Sequence, residues 1–243
     1  MSTSWTEADH LKMRTEIEAP DYEKEIYVIS APRCANTITR YIVEHLTSYE
    51  SYGYIGSGEK LTGIDNSSIA KNIDHRDPTG IIFKRHTWKP HRYTNDKVAD
   101  IMKVIAVVRN PLDWRRRDGY CEGWGEWDSQ IISHSLDMGE PKAKIFFYEK
   151  LMKDPKSYVS EIAEFISADQ EKTRVFLENI EHHIRGKKAP EQNNPNALEP
   201  NLSDLRYVDR VKHWNALMRK FPTKVRDVFE KRYGHDGSWI DES

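Results

Sequence analysis

Four short apolar runs stand out along the chain, each rich in β-branched or aromatic side chains: "EIYVISA" at 25–31, "GIIFKRH" at 80–86, "KVIAVVR" at 103–109 and "KIFFYE" at 144–149. They predict buried strands. Between and after them the apolar period lengthens. Ile38, Tyr41, Ile42, His45 and Leu46 share one helical face, and Val159, Ile162, Ala163 and Ile166 share another. Strands that alternate with helices predict a parallel α/β sheet with right-handed crossovers. Apolar positions at helical spacing in 171–184, 203–218 and 222–233, without a convincing strand, predict a helical C-terminal flank. The stretch "GKKAPEQNNPNALEPNLS" at 186–203 is rich in Pro, Asn and charge, and reads as a long loop within a single domain spanning 1–243.

Composition agrees with one packed core. Hydrophobic residues make up 37% of the 243 positions and charged residues 31%, which is enough apolar surface for an interior and leaves a heavily solvated exterior. Lys and Arg number 37 against 39 Asp and Glu. That balance does not draw the chain to nucleic acid or to an anionic membrane, so any anion site must be local. No apolar run approaches the roughly 20 residues that cross a bilayer, and the N-terminal stretch lacks the apolar core of a signal peptide, so the expected compartment is the cytoplasm. Cys34 and Cys121 cannot build a disulfide framework, and the histidines have no ligand partners at persuasive spacing, so no metal is expected.

Candidate chemistry gathers where predicted strands hand over to helices, since ligands of open α/β sheets collect outside the carboxyl ends of the strands. In "ISAPRCANTITRY" an apolar run stops at Ala31-Pro32 and a helical pattern begins at Ile38. Backbone N–H groups and the dipole at such a helix start favour an anion, with Arg33 as a cation and Asn36, Thr37 and Thr39 as neutral donors. An ordinary turn capped by Asn36 or Thr37 fits the spacing as well. The Gly-rich "GYIGSGEKLTG" at 53–63 is not a Walker loop, because Glu59 separates Gly58 from Lys60 and no G-K-[ST] core is present. At the end of the third run, Arg109 precedes Pro111, a residue suited to a first helical turn, and an arginine there can hold a phosphate through two charge-assisted hydrogen bonds. Arg115, Arg116 and Arg117 extend the positive charge, although three consecutive residues cannot all face one ligand.

These stretches resemble those of a known family. A strand, Pro32-Arg33-Cys34-Ala35-Asn36-Thr37, then a helix, looks like the 5′-phosphosulfate loop of sulfotransferases, usually Pro-Lys/Arg-Ser-Gly-Thr/Asn-Thr. A strand followed by Arg109-Asn110-Pro111-Leu112-Asp113 resembles that family's 3′-phosphate motif. "FFYEKLMKDPKSYVSEIAEFI" at 146–166 is similar to its Tyr-Glu-Asp-Leu, Asp-Pro and helix. The resemblance implies a P-loop-like three-layer α/β fold that binds 3′-phosphoadenosine 5′-phosphosulfate (PAPS) as cosubstrate. It further implies transfer of the sulfuryl group to a hydroxyl or amine of a small-molecule or carbohydrate acceptor. Arg33 would neutralise the phosphosulfate and the leaving oxygen, Asn36 and Thr37 would donate beside it, and Arg109 would hold the 3′-phosphate.

Four positions depart from the family pattern. Cys34-Ala35 replaces Ser-Gly in the loop, and Ala fits only where the backbone avoids a positive φ. Arg117 stands where a serine assists at the 3′-phosphate, Ile38 stands where an aromatic residue packs by the adenine, and the Gly-Asp-Trp-Lys segment survives as Trp214 in "RVKHWNAL". His86 and Lys84 in "IIFKRHTWKP" resemble the Lys-x-His of cytosolic members, with His86 as the general base and Lys84 as a transition-state cation. A structural strand-end histidine is the competing reading, as an exposed or supporting carboxylate is for Glu149. Tyr49, Tyr52, Tyr54, Trp88, Trp124 and Trp127 are candidates to line an acceptor cleft. A nucleotide-dependent phosphotransferase and a noncatalytic nucleotide binder are the alternatives.

Overall fold

The first apolar run forms strand β1, Lys24–Ser30, whose side chains alternate between two cores. Ile26 and Val28 enter one and Tyr27 and Ile29 the other, as expected of a strand covered on both faces. The computed structural model describes residues 23–31, 34–52, 69–70, 73–85, 102–112, 122–184 and 207–240. After β1 come α1 (Asn36–Thr47), β2 (Glu50–Tyr52), β3 (Gly80–Arg85), β4 (Met102–Val108), α2 (Glu122–Met138) and β5 (Ala143–Phe147). The rest is helical: α3 (Tyr148–Lys153), α4 (Pro155–Ile166), α5 (Gln170–Glu178), α6 (Tyr207–Met218) and α7 (Thr223–Tyr233).

The five strands pair in parallel in the order β2-β3-β1-β4-β5. Helices α1, α4 and α5 cover one face through Ile42, Leu46, Val159, Ile162 and Phe176, and α2, α6 and α7 cover the other through Ile131, Trp214, Val225 and Phe229. The parallel α/β sheet and the helical C-terminal flank are those that the strand and helix pattern predicts, and the two helical layers about the sheet make the three-layer architecture that the resemblance implies. From β1 the chain runs out to β2, returns to β3, then crosses β1 to reach β4 and β5. The connections that follow the adjacent strands β1 and β4 therefore run in opposite directions, which makes the carboxyl ends of these two strands the place where a crevice is expected and where ligands of open α/β sheets bind.

Several elements differ from the sequence pattern. Strand β2 is a three-residue edge strand with no apolar run of its own. Strand β5 stops at Phe147, and Tyr148 and Glu149 open α3 instead; a carboxylate in a first helical turn is favoured by the helix dipole. The predicted helix over 171–184 breaks at Asn179, whose N–H closes a tight turn onto Phe176 O at 3.2 Å. The loop expected at 186–203 lies outside the described residues, as do Pro32, Arg33, His86 and Arg117.

Candidate functional site at the carboxyl edge of the sheet

At the β1–α1 junction Ala31 and Cys34 are buried against each other, and Ala35 precedes the helix at φ 61° and ψ 21°. The backbone here does need a positive φ, contrary to the condition under which an alanine was expected to fit. The left-handed region is disfavoured for a residue with a Cβ by about 1–2 kcal/mol, and glycine is the residue that adopts it freely. Asn36 turns inward: its side-chain amide donates to Val28 O at 3.0 Å and to Ser30 Oγ at 3.1 Å. It ties the helix start to β1 where donation toward an anion was expected. Thr37 is exposed. The first helical bond runs from Thr39 N to Ala35 O at 3.0 Å, so the amides of Thr37 and Ile38 lie ahead of the helical ladder, with no acidic residue in that first turn.

Lys84 lies near the carboxyl end of β3, in register with Val28 of β1 and on the α1 side of the sheet with Ile82. Burial lowers its pKa, and the nearby Arg40 guanidinium lowers it further. Among the described residues no carboxylate pairs with it. Arg40 itself is buried and donates to Ser51 Oγ at 2.6 Å, and Ser51 in turn donates to Glu44. Glu44, fully buried, accepts from the amides of Ile69 at 3.0 Å and Ala70 at 2.8 Å, and lies 3.6 Å from Arg76. Burial of Arg40 lowers its pKa while Glu44 opposes the shift. Sequence reasoning passed over this Arg40–Ser51–Glu44 network, although an Arg and a Glu four apart on an otherwise apolar helix face were the visible signal.

On the other side of β1, Arg109 follows β4 and is 5% exposed, its guanidinium 4.3 Å from the centroid of the Tyr148 ring. Asn110 is a hub. Its backbone amide donates to Glu149 Oε1 at 2.8 Å, its side-chain amide donates to Gly237 O at 2.7 Å, and its Oδ1 accepts from Leu112 N at 2.9 Å. The second oxygen of Glu149 accepts from Tyr233 at 2.6 Å, so of the roles open to Glu149 the structure assigns one inside the fold. Behind it Asp128 of α2 is fully buried, with no hydrogen-bond partner for either oxygen among the described residues. Burial pushes its carboxyl pKa well up, and Glu149 adds to the shift. The residues 110, 149, 233 and 237 lie too far apart in the chain for any spacing rule to join them.

Two further expectations change. Trp214 was a candidate for cosubstrate contact, but its ring is fully buried in the core, 5.9 Å from that of Tyr233 and against Gly237, which leaves no face for a ligand. Tyr49 was a candidate for the acceptor cleft, yet it packs on Gly80 at the amino edge of the sheet, opposite the crevice. Tyr54 and Trp88 lie outside the described residues. A cavity of about 200 Å³ lined by His45, Phe176 and His183 sits by the C-terminal half of α1, away from the crevice.

No model of a protein family matches the chain, and no curated protein does. Among solved structures it is similar to a mouse sulfotransferase in complex with PAP, at 17% identity over 88% of this chain and 84% of that one, with a TM-score of 0.45. It is similar to a sulfotransferase from Alicyclobacillus acidocaldarius at 13% identity over 84% and 95%, TM-score 0.45. It is also similar to the sulfotransferase domain of the Synechococcus PCC 7002 olefin synthase, at 16% identity over 75% and 86%, TM-score 0.39. The fold class rests on the chain's own sheet, whose five parallel strands between two helical layers make it an α/β protein of the three-layer kind that its motifs led one to expect.

Proposed function

We propose that the chain is a sulfotransferase that takes the sulfuryl group of PAPS and passes it to a hydroxyl or amine of a small-molecule or carbohydrate acceptor. The observation that carries this reading is that Arg109, at the end of β4, and the β1–α1 junction follow adjacent parallel strands at the carboxyl edge of the sheet, where the chain's crossovers diverge. Lys84, without a carboxylate partner among the described residues, supports it from the other neighbouring strand. The α1 start, free of acidic residues in its first turn, suits the 5′-phosphosulfate, while Arg109 suits a second phosphate.

In this reaction the bond from sulfur to the bridging oxygen of the 5′-phosphate breaks as the acceptor atom bonds to sulfur. The acceptor proton passes to the imidazole of His86, and adenosine 3′,5′-bisphosphate leaves. Arg33 and Lys84 would balance the charge that gathers on the bridging oxygen. Binding without turnover is the second reading, favoured by the inward turn of Asn36, whose amide is already engaged by Val28 and Ser30.

Calorimetric titration with adenosine 3′,5′-bisphosphate, AMP and ATP tests the proposal. Selective binding of the bisphosphate, weakened about 10- to 100-fold in Arg109→Ala, is expected. Equal or better binding of ATP overturns it. Turnover of PAPS with a panel of hydroxyl acceptors, lost in His86→Ala, separates the enzyme from the binder.

A further inference from the structure

Arg109 can discriminate a 3′-phosphate only if its guanidinium is aimed, and four separate parts of the chain converge to aim it. We propose that Glu149 and Tyr233 are positioning residues that confer 3′-phosphate selectivity on Arg109, acting through the backbone of Asn110 and the ring of Tyr148; this rests on the reading of the site given above.

One carboxylate joins three elements. Glu149 Oε1 accepts from Asn110 N at 2.8 Å, and Oε2 accepts from Tyr233 Oη at 2.6 Å. The end of β4, the start of α3 and the end of α7 are thereby fixed to one another. The preceding residue on α3, Tyr148, lies under the Arg109 guanidinium at 4.3 Å, so the same short helix holds both the backbone beside the arginine and its charged head. The turn after α7 closes the other side. Gly237 O accepts the Asn110 side chain at 2.7 Å, and a Cβ on Gly237 would come within 2.8 Å of both Leu112 Cδ1 and Trp214 Cε3. Arg210 pairs with Asp236 at 2.6 Å and keeps this turn seated.

This arrangement differs from general stabilisation in its reach. Without the Tyr233 hydroxyl, Glu149 loses a donor in a part-buried site, and the carboxylate that holds the peptide between Arg109 and Asn110 loses its fixed orientation. The contacts made at the β1–α1 junction, through Asn36 to Val28 and Thr39 to Tyr158, involve none of these residues. A disturbance of the brace is therefore felt by the 3′-phosphate and spares the 5′ end of the nucleotide.

The test compares adenosine 3′,5′-bisphosphate with AMP, titrated to millimolar concentration by calorimetry on the full chain. The proteins are wild type, Tyr233→Phe, Glu149→Gln and Arg109→Ala, each with its unfolding midpoint measured. Tyr233→Phe removes a single oxygen and decides the matter should Glu149→Gln fail to fold. The expected result is an affinity for the bisphosphate lowered about tenfold in Tyr233→Phe, with AMP unchanged. A bisphosphate-to-AMP preference equal to that of wild type in Tyr233→Phe overturns the inference, as does an equal loss for both ligands. A wild type with no preference for the 3′-phosphate instead defeats the functional reading beneath it.

Discussion

The side-chain amide of Asn36 donates to the carbonyl of Val28 at 3.0 Å, so the first residue of α1 is bonded back to the strand that precedes it by eight positions. The junction is held from inside. Replacing Asn36 by Ala leaves the Val28 carbonyl and the Ser30 hydroxyl without this donor in a buried site, at a cost of about 2 kcal/mol. Urea denaturation of Asn36→Ala checks it. A loss below 0.5 kcal/mol, roughly the floor for a single net hydrogen bond, would mean that the junction does not depend on the amide.

Ala35 holds a left-handed backbone that glycine adopts without strain. Ala35→Gly is expected to stabilise the fold by about 0.5–1 kcal/mol, the relief of the Cβ clash being partly offset by the greater freedom of glycine in the unfolded chain. Thermal unfolding decides the sign. A lower midpoint for Ala35→Gly than for wild type would show that the methyl group contributes more by packing than it costs in strain.

Glu44, itself fully buried, holds a serine, two backbone amides and the field of two arginines. Its removal takes the carboxylate from beside the buried Arg40 and an acceptor from two backbone amides, so Glu44→Ala is expected to cost about 3–5 kcal/mol. The double change Arg40→Met, Glu44→Leu should recover part of that loss, because it removes the buried guanidinium along with the carboxylate beside it. Denaturation midpoints of the two variants settle the point: a double variant no more stable than Glu44→Ala would place the cost in the lost amide bonds alone.

Asp128 gives the fold a pH dependence of definite sign. Its native pKa is raised by burial and by Glu149, so between the unfolded carboxylate value of about 3.9 and the raised native value the folded chain binds the extra proton. Stability from this group is fully present below the unfolded pKa and is lost as pH rises through the native one. Asp128→Asn, neutral at every pH, is expected to raise the unfolding midpoint near pH 8 and to lose that advantage toward pH 4. Parallel pH profiles for the two proteins would show that Asp128 is not held protonated.

Much of this architecture was legible in the sequence because its strands are buried on both faces. Ile26–Ile29 and Val104–Val108 read as uninterrupted apolar runs, and four of the five strands followed from such runs. Edge strand β2 escaped because Glu50, Ser51 and Tyr52 form no such run. Helix α1 was legible by its apolar face, yet the same face buries Asn36, Arg40 and Glu44, whose partners on β1 and β2 no periodicity reveals. Arg109 stood out at a strand end. Its support did not, since Asn110 bonds Gly237 at a separation of 127 positions and Glu149 bonds Tyr233 at 84. Trp214 was misplaced because a buried tryptophan and a ligand-facing one look alike in a sequence.

Those same separations set an order of events during synthesis. Asn36 finds Val28 and Ser30 within eight positions of itself, whereas the Asn110 hub waits for Gly237. At about 5–20 residues per second, the ribosome needs roughly 6–25 s to cover the 127 positions between them. Through that interval the nascent chain has the β1 contacts of Asn36 without the Asn110–Gly237 bond. The hub closes only once Gly237 has been made.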